Sequence, residues 1–280
     1  MKKWLWFPIG ILALIVIIGV VFFASLTSGK VIGAMLYVDS GVVEVDSGKG
    51  WVAAQDGMEL SVNDKIRTLE GKATIVIFEG EMTRLEPNTE VSIKELSLES
   101  TTISQNSGST WNRLTKLGGV AEYNVETPTT VATVRGTGFG LKITGNQNDL
   151  LVGEGTVNFG AKGEVGEPVA EGWKGTIASP LVKTQLNQEE KGWVNGQMSK
   201  DIESLKKLRL ELINRHGFAL GIIKTIFGLT DSGIEQGLKD IDDGKTDEDE
   251  IAQKAPMKID DLDRVVAITK EIKKLLGTAK

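Results

Sequence analysis

Closely spaced turn signals between residues 31 and 177 constrain the fold of this chain most strongly. Glycine, proline, asparagine and aspartate recur there between short β-branched runs, of which residues 42–45, 73–78 and 91–93 are examples. No long amphipathic helical pattern separates these runs, so parallel strands linked by helices are not expected. We therefore predict a mainly β chain, with an all-β domain of short antiparallel strands at residues 31–178.

Residues 127–140 combine a proline, a β-branched run, an arginine and three spaced glycines. Val131, Thr133 and Arg135 fall on one face of a strand, because side chains alternate along it. The glycines that follow allow a bend, a bulge or a close backbone approach. We expect Arg135 to be partly buried and to bind the carbonyls of neighbouring strands, so that its replacement by alanine damages folding.

Composition excludes several classes of function. The net charge is −6, and no basic run exceeds the pair Lys2 and Lys3, so nucleic acid is not expected as a partner. The absence of cysteine excludes disulfides, thiolate metal sites, a cysteine nucleophile and a lipoprotein anchor. The single histidine, His216, excludes a histidine-rich metal site.

No catalytic or cofactor signature is present. The chain has no phosphate-binding loop, and no base lies at a recognisable spacing from a nucleophile. The acidic stretch at residues 240–250 fails as a calcium loop, because Lys239 and Ile241 occupy the first and third positions before Gly244. A glycosidase with two distant carboxylates remains open. We predict no enzyme activity, no cofactor, no metal and no small-molecule substrate.

The N-terminus predicts a membrane anchor. Residues 8–28 form an uncharged run of about 20 residues, which at ~1.5 Å per residue spans the ~30 Å hydrocarbon core. We expect residues 1–7 to be a cytoplasmic stub, with the protein in the cell membrane as a single-pass chain and its later domains outside the cytoplasm. The predicted interface residues are Lys2, Lys3, Trp4 and Trp6. A cleaved signal peptide is the alternative, although this run is longer than usual.

Several short motifs, taken in order from about residue 42 to residue 159, resemble the FecR domain family. They contain Trp51, Arg67, Arg84, Pro87, Asn88, Thr127, Pro128, Arg135, Gly136, Thr137, Phe139 and Gly155. We expect these residues to have structural roles. In founding members of the family, a transmembrane helix joins this extracytoplasmic domain to a cytoplasmic segment that controls a sigma factor, and the outer domain senses an outer-membrane iron transporter. The resemblance implies the same fold and membrane topology here.

Only about seven residues precede the predicted anchor. We expect so short a segment to be unable to form a helical domain that grips a sigma factor, because short helices are marginal alone. The leading hypothesis is therefore recognition of another envelope protein, as a sensor, adaptor or scaffold, with the N-terminal helix in membrane lipid. Regulation of a sigma factor is a further alternative.

A polysaccharide-binding or cell-wall-binding module is the runner-up function. Trp51, Trp111, Trp173 and Trp193 could stack on sugars, although such residues are more often core anchors of a β domain. This alternative would be favoured if the wild-type chain binds a glycan and Trp→Ala substitutions abolish that binding.

The β-rich region contains two stretches that echo each other loosely, at residues 50–91 and 111–159, with too little identity to establish a duplication. Between them, the Ser- and Thr-rich residues 97–110 are predicted to be an exposed connection.

The tail is predicted to be a linker at residues 179–198 and a helical module at residues 199–280. An apolar stripe consists of Ile202, Leu205, Leu208 and Leu212, with Arg209 off it. Ser232 with Glu235 predicts a capping box, and a last helix is expected to begin near Asp260.

Overall fold

The computed structural model describes residues 33–115, 117–177, 181–215, 230–245, 247 and 262–278. These residues form seventeen strands and three helices, so the chain is mainly β with a helical C-terminal part. The predicted anchor at residues 8–28 and its interface residues lie outside the described residues. Among the residues that are described, no helix is both long and apolar enough to cross a membrane.

The chain divides into two compact units. One is Val31–Asp201, and the described part of the other lies within Ile202–Thr278. In chain order the strands are β1 (Ala34–Ser40), β2 (Val43–Asp46), β3 (Val52–Ala53), β4 (Met58–Leu60), β5 (Lys65–Thr68), β6 (Lys72–Ile77), β7 (Glu81–Leu85), β8 (Thr89–Leu96), β9 (Ser100–Leu114), β10 (Glu122–Glu126), β11 (Thr130–Val134), β12 (Gly138–Thr144), β13 (Gln147–Glu154), β14 (Thr156–Ala161), β15 (Glu167–Ala170), β16 (Trp173–Thr176) and β17 (Val182–Gln185). The helices are α1 (Gln188–Arg215), α2 (Asp231–Asp242) and α3 (Leu262–Thr278).

The strands of the first unit form two sheets that share β9. Sheet I has the order β4-β1-β6-β7-β9-β12-β13-β16-β17, and all its neighbouring strands are antiparallel. Sheet II has the order β3-β2-β5-β8-β9-β10-β11-β14-β15 and is antiparallel except at the β9–β10 pair. Inward side chains from both sheets form one hydrophobic core. The prediction of a largely antiparallel β domain is confirmed.

Strand β9 crosses from sheet II to sheet I, and this corrects one prediction. Residues 97–110 were expected to be an exposed connection, but most of them lie in this 15-residue strand. Thr101, Ile103 and Gln105 are buried, and the Gln105 amide donates to the carbonyl of Leu141 at 3.1 Å. The prediction was wrong because threonine and glutamine fill inward positions here, so the usual apolar alternation is absent from the sequence.

A four-strand motif occurs twice. β5 and β8 pair in sheet II around the β6–β7 hairpin of sheet I, and β11 and β14 pair in sheet II around the β12–β13 hairpin. The motif gives a structural basis to the loose echo between residues 50–91 and 111–159.

The second unit contains a buried ion pair that the sequence did not predict. Ile202, Leu205 and Leu212 are buried as the apolar stripe predicted, but Arg209 is buried as well. Both terminal nitrogens of Arg209 donate to the carboxylate of Asp242 at 2.7 Å, and one also donates to Thr269 at 3.2 Å. One arginine thereby joins all three helices.

The start of the tail and the cap of its second helix both differ from the prediction. Residues 179–198, expected to be a linker, contain β17 and the first turns of α1. This helix begins with reciprocal bonds, in which Glu190 N donates to Asn187 Oδ1 and Asn187 N donates to Glu190 Oε2, each at 2.9 Å. At α2 the capping residue is Thr230, which accepts from Gly233 N at 3.0 Å, rather than the predicted Ser232.

Candidate functional site: the outer faces of the β domain

Each sheet has an outer face that points away from the shared core. On sheet I the part of this face that β7, β9, β12 and β13 form is covered by residues 188–201 of α1, which we call the docked helix segment. Val194 and Met198 in this segment are buried, and Gln197 Nε2 donates to Glu86 Oε1 at 2.6 Å. The segment belongs to the same compact unit as the sheets. The part of the outer face of sheet I under this segment is therefore an interior surface of the domain.

A buried ion cluster lies beneath the end of the docked helix segment. Asp201 is fully buried and accepts from Arg113 Nε at 2.7 Å, from Trp111 Nε1 at 2.9 Å and from Arg84. Arg113 also pairs with Glu154. Burial acts to lower the pKa of Arg113, but the charges of Asp201 and Glu154 more than offset it and leave that pKa above its ordinary value. The charges of two guanidinium groups and two carboxylates cancel, so the buried cluster has no net charge and is suited to hold the helix on the sheet.

Trp193 fills the centre of the same interface. Its ring meets that of Trp111 edge-to-face, with centroids 5.8 Å apart and an interplanar angle of 79°. Lys142 Nζ lies 4.3 Å from the centroid of the Trp193 ring. A Cβ at Gly140 would overlap this ring, so the absence of a side chain at residue 140 makes room for the helix.

The glycines of residues 127–140 fulfil the predicted uses. Gly136 has a φ of +68° at the bend after β11. A Cβ at Gly138 would lie 2.5 Å from Arg113 Nη2, so this glycine permits the approach of a guanidinium. Thr137 is buried and Phe139 is fully buried in the core. Gly155 has a φ of +82°, and its Cβ would lie 2.9 Å from Thr137 Cγ2.

The expectation for Arg135 was wrong, because this side chain is exposed. The alternation that places Ala132 and Val134 in the core also directs residues 131, 133 and 135 outward. The buried arginines of this domain are Arg84 and Arg113. The family motifs included Arg84, but nothing in the sequence connected either arginine to Asp201, because the carboxylate is 117 and 88 residues away.

Two other predicted residues, Trp51 and Arg67, lie together on sheet II. The Arg67 guanidinium carbon is 4.2 Å from the centroid of the Trp51 ring, and Arg67 also pairs with Glu44 at 2.6 Å. Both Trp51 and Arg67 are half-buried. They therefore contribute an aromatic and charged stack at one side of the outer face of sheet II.

The remaining predicted residues form turns. Asn88, after Pro87, has a φ of +59° and donates its N–H to Leu69 O at 2.9 Å. Thr127 Oγ1 accepts from Thr130 N at 2.9 Å, across the turn that contains the exposed Pro128.

The outer face of sheet II carries cross-strand polar pairs and is partly exposed. Glu126 Oε2 accepts from Lys94 Nζ at 2.8 Å and from Lys162 Nζ at 2.9 Å, and Asn124 accepts from Thr133 at 2.7 Å. We call this surface the recognition face; its residues are Glu44, Trp51, Lys65, Arg67, Lys94, Asn124, Glu126, Thr133 and Lys162. Burial acts to raise the pKa of Glu126, but hydrogen bonds from the two lysines hold it below its ordinary value.

The four tryptophans do not form one sugar-binding platform. Trp111 and Trp193 lie between sheet I and the docked helix segment, whereas Trp51 lies on sheet II with Arg67 on its ring. Trp173 is 39% exposed. In the part of the chain that the structure describes, no three potential metal-ligating side chains come together.

Comparison with known protein families gives a match in the middle of the β domain. The model of a family described as FecR protein matches residues 64–158, which extend from the residue before β5 into β14. No curated protein matches the chain in sequence.

Two crystal structures from Parabacteroides distasonis, each described as that of a candidate anti-sigma factor, also resemble the chain. Each has 14% identity and a TM-score of 0.41. One match covers 47% of this chain and 65% of the other, so the chain spans less than two thirds of that relative; the second covers 51% and 73%. A likeness of this size carries no argument about function.

Proposed function

We propose, on the premise that this chain belongs through residues 64–158 to the FecR family, that it is a single-pass membrane protein whose β domain recognises another envelope protein outside the cytoplasm. Family membership supports a role in signalling rather than in catalysis. The predicted anchor at residues 8–28 provides the attachment to the membrane.

The recognition face is the observation that carries this proposal. Lys94, Asn124, Glu126 and Thr133 all lie within the span that matches the family. The Lys94–Glu126 ion pair reaches across the intervening strand β9, and Thr133 bonds to Asn124 on the neighbouring strand, so the face is ordered before any partner binds. Preformed charge patterns give specificity and fast association with a protein of complementary charge.

The Trp51–Arg67 stack adds the residue types that dominate binding energy in protein interfaces. Tryptophan and arginine are enriched at such positions, and a guanidinium held on a ring loses little freedom on binding. Arg67 is held on two sides, by the Trp51 ring and by Glu44. We expect this stack to be one contact area of the partner.

Site-specific photocrosslinking in intact cells tests the proposal. A photoreactive amino acid is placed at Lys65, which is exposed on the recognition face, and at Lys191, which is exposed on α1, as the matched control. A discrete crosslinked protein is expected from residue 65 and not from residue 191. No product at residue 65, or the same product from both positions, would contradict the proposal.

Regulation of a sigma factor is a second candidate, favoured by membership of the FecR family. It predicts that deletion of the gene changes the transcription of a sigma-factor regulon. Unchanged transcription, together with a crosslinked envelope partner, would leave envelope recognition as the function.

A further inference from the structure

The covered face of sheet I and the helix that covers it belong to different parts of the sequence. Most of the residues that the face contributes to this interface, including Arg84, Arg113, Gly140 and Glu154, lie within the FecR match at residues 64–158, and Lys174 lies beyond it. The docked helix segment at residues 188–201 lies beyond that match. The family domain therefore contributes a helix-binding surface, and a separate element fills it.

Glycines shape this surface for a helix. A Cβ at Gly140 would overlap the Trp193 ring, and a Cβ at Gly153 would lie 2.6 Å from Val194 Cγ1 and 2.8 Å from the Trp111 ring. Neither glycine has a positive φ, so backbone geometry would accept other residues at both positions. At Gly140 a helix side chain leaves no room for a Cβ, and at Gly153 the helix residue Val194 and Trp111 of β9 do so together.

The charges of the two surfaces are complementary. Sheet I contributes Arg84, Arg113 and Lys174 at this interface. The docked helix segment supplies Asp201 to both arginines and Glu190 to Lys174, the latter at 2.7 Å. In these ion pairs the sheet supplies the cations and the helix supplies the carboxylates.

The contacts on the helix follow one stripe. They are made by Glu190, Trp193, Val194, Gln197 and Asp201, which are spaced by three, one, three and four residues. This spacing is typical of an amphipathic helix that binds in a groove. The stripe specifies an acid in the first turn, a tryptophan at the centre and a carboxylate about two turns later.

We propose that the outer face of sheet I is a docking site for an acidic, tryptophan-bearing amphipathic helix, and that the docked helix segment is a built-in occupant which such a helix from a partner protein can replace. This proposal concerns sheet I, whereas the proposed function rests on sheet II, so either can fail alone.

The built-in occupant has an advantage over any free helix. A tethered segment acts at an effective concentration in the millimolar range. A free helix of the same sequence therefore binds the wild-type chain weakly, because the site is rarely open. Weakening the built-in helix exposes the site.

Peptide binding to a weakened chain tests the proposal. The probe is a fluorescein-labelled peptide of residues 187–203, and the receptor is the full chain with Trp193→Ala, which opens the centre of the groove without burying a charge. We expect the peptide to bind this variant at least about tenfold more tightly than it binds the wild-type chain. Peptides with Trp193→Ala or Asp201→Asn should lose that binding. The proposal would be overturned if the peptide binds both chains equally, or if the substituted peptides bind the variant as tightly as the unsubstituted one.

Hydrogen exchange on the wild-type chain provides a second measurement that needs no variant to fold. If the docked helix segment detaches alone, amides of residues 192–201 exchange at least about tenfold faster than those of β12. Exchange of both at the same slow rate would show that the helix leaves only on global unfolding, and would also overturn the proposal.

Discussion

The two outer faces of the β domain share one core but differ in chemistry. On sheet I the outward positions include glycine, tryptophan and arginine, and a helix covers them. On sheet II the outward positions include lysine, glutamate, asparagine and threonine beside the Trp51–Arg67 stack, and these side chains pair with one another and stay partly exposed. The difference indicates that the helix-covered face is part of the packed interior of the domain, whereas the charged face is the one to which we assign the proposed recognition.

The largest loss of stability is expected for a substitution at Asp201. Asp201→Asn removes the charge that balances Arg84 and Arg113 at a buried position, and loss of one partner of such a cluster costs about 3–5 kcal/mol. Urea unfolding followed by tryptophan fluorescence measures the loss. Glu203→Gln, at an exposed position on the same helix, is the control and should change stability by less than about 0.5 kcal/mol. An equal loss of stability in the two variants would show that the ion cluster does not stabilise the domain.

The fit of the helix on sheet I can be tested with one methyl group. Gly140→Ala places a Cβ against the Trp193 ring, and we expect a loss of about 1–3 kcal/mol in unfolding free energy. Gly192→Ala is the matched control, because a Cβ there meets nothing within 4 Å and alanine favours a helix by about 1 kcal/mol. A Gly140→Ala variant as stable as the wild type would contradict the close helix approach.

Substitutions on the recognition face should change the stability of the domain far less. Glu126→Gln removes the carboxylate that accepts from Lys94 and Lys162, and the expected loss is below about 1 kcal/mol, because both lysines are largely solvated. The folded pKa of Glu126 lies below its ordinary 4.5, so the contribution is present above that pH and is lost as the pH falls through the lower folded pKa. Acid titration of wild type and variant should therefore converge at low pH. A difference in stability between the two chains that grows as the pH falls would contradict a stabilising role for the ionised Glu126 carboxylate.

Arg135 should give the smallest effect. Arg135→Ala removes an exposed side chain, so the melting temperature should be nearly unchanged, within about 0.5 kcal/mol of stability. Arg113→Ala, at a buried position, is the contrasting variant and should be strongly destabilising. A large effect at Arg135 would restore the original expectation.

The sequence predicted the β architecture because local signals determine it. Turn residues and β-branched runs were sufficient for the mainly β domain, and alternation correctly placed Val131 and Thr133 on one face of β11. Residues 97–110 were missed because threonine and glutamine occupy the inward positions of β9.

The ion cluster could not be predicted for a different reason. Arg84 and Asp201 are 117 residues apart, and only the folded sheet order brings them together. The reason for glycine at residue 140 was hidden in the same way, because the excluding ring belongs to Trp193 in another element. Signals of this kind depend on tertiary contacts rather than on local pattern.

A charge swap on the recognition face tests whether this face binds the partner protein. The variant Lys94→Glu, Glu126→Lys, Lys162→Glu keeps the two salt bridges but inverts the charges that a partner meets. We predict a melting temperature close to that of the wild type and loss of the protein crosslinked from residue 65. An unchanged crosslinked product from a folded variant would contradict the assignment of this face to recognition.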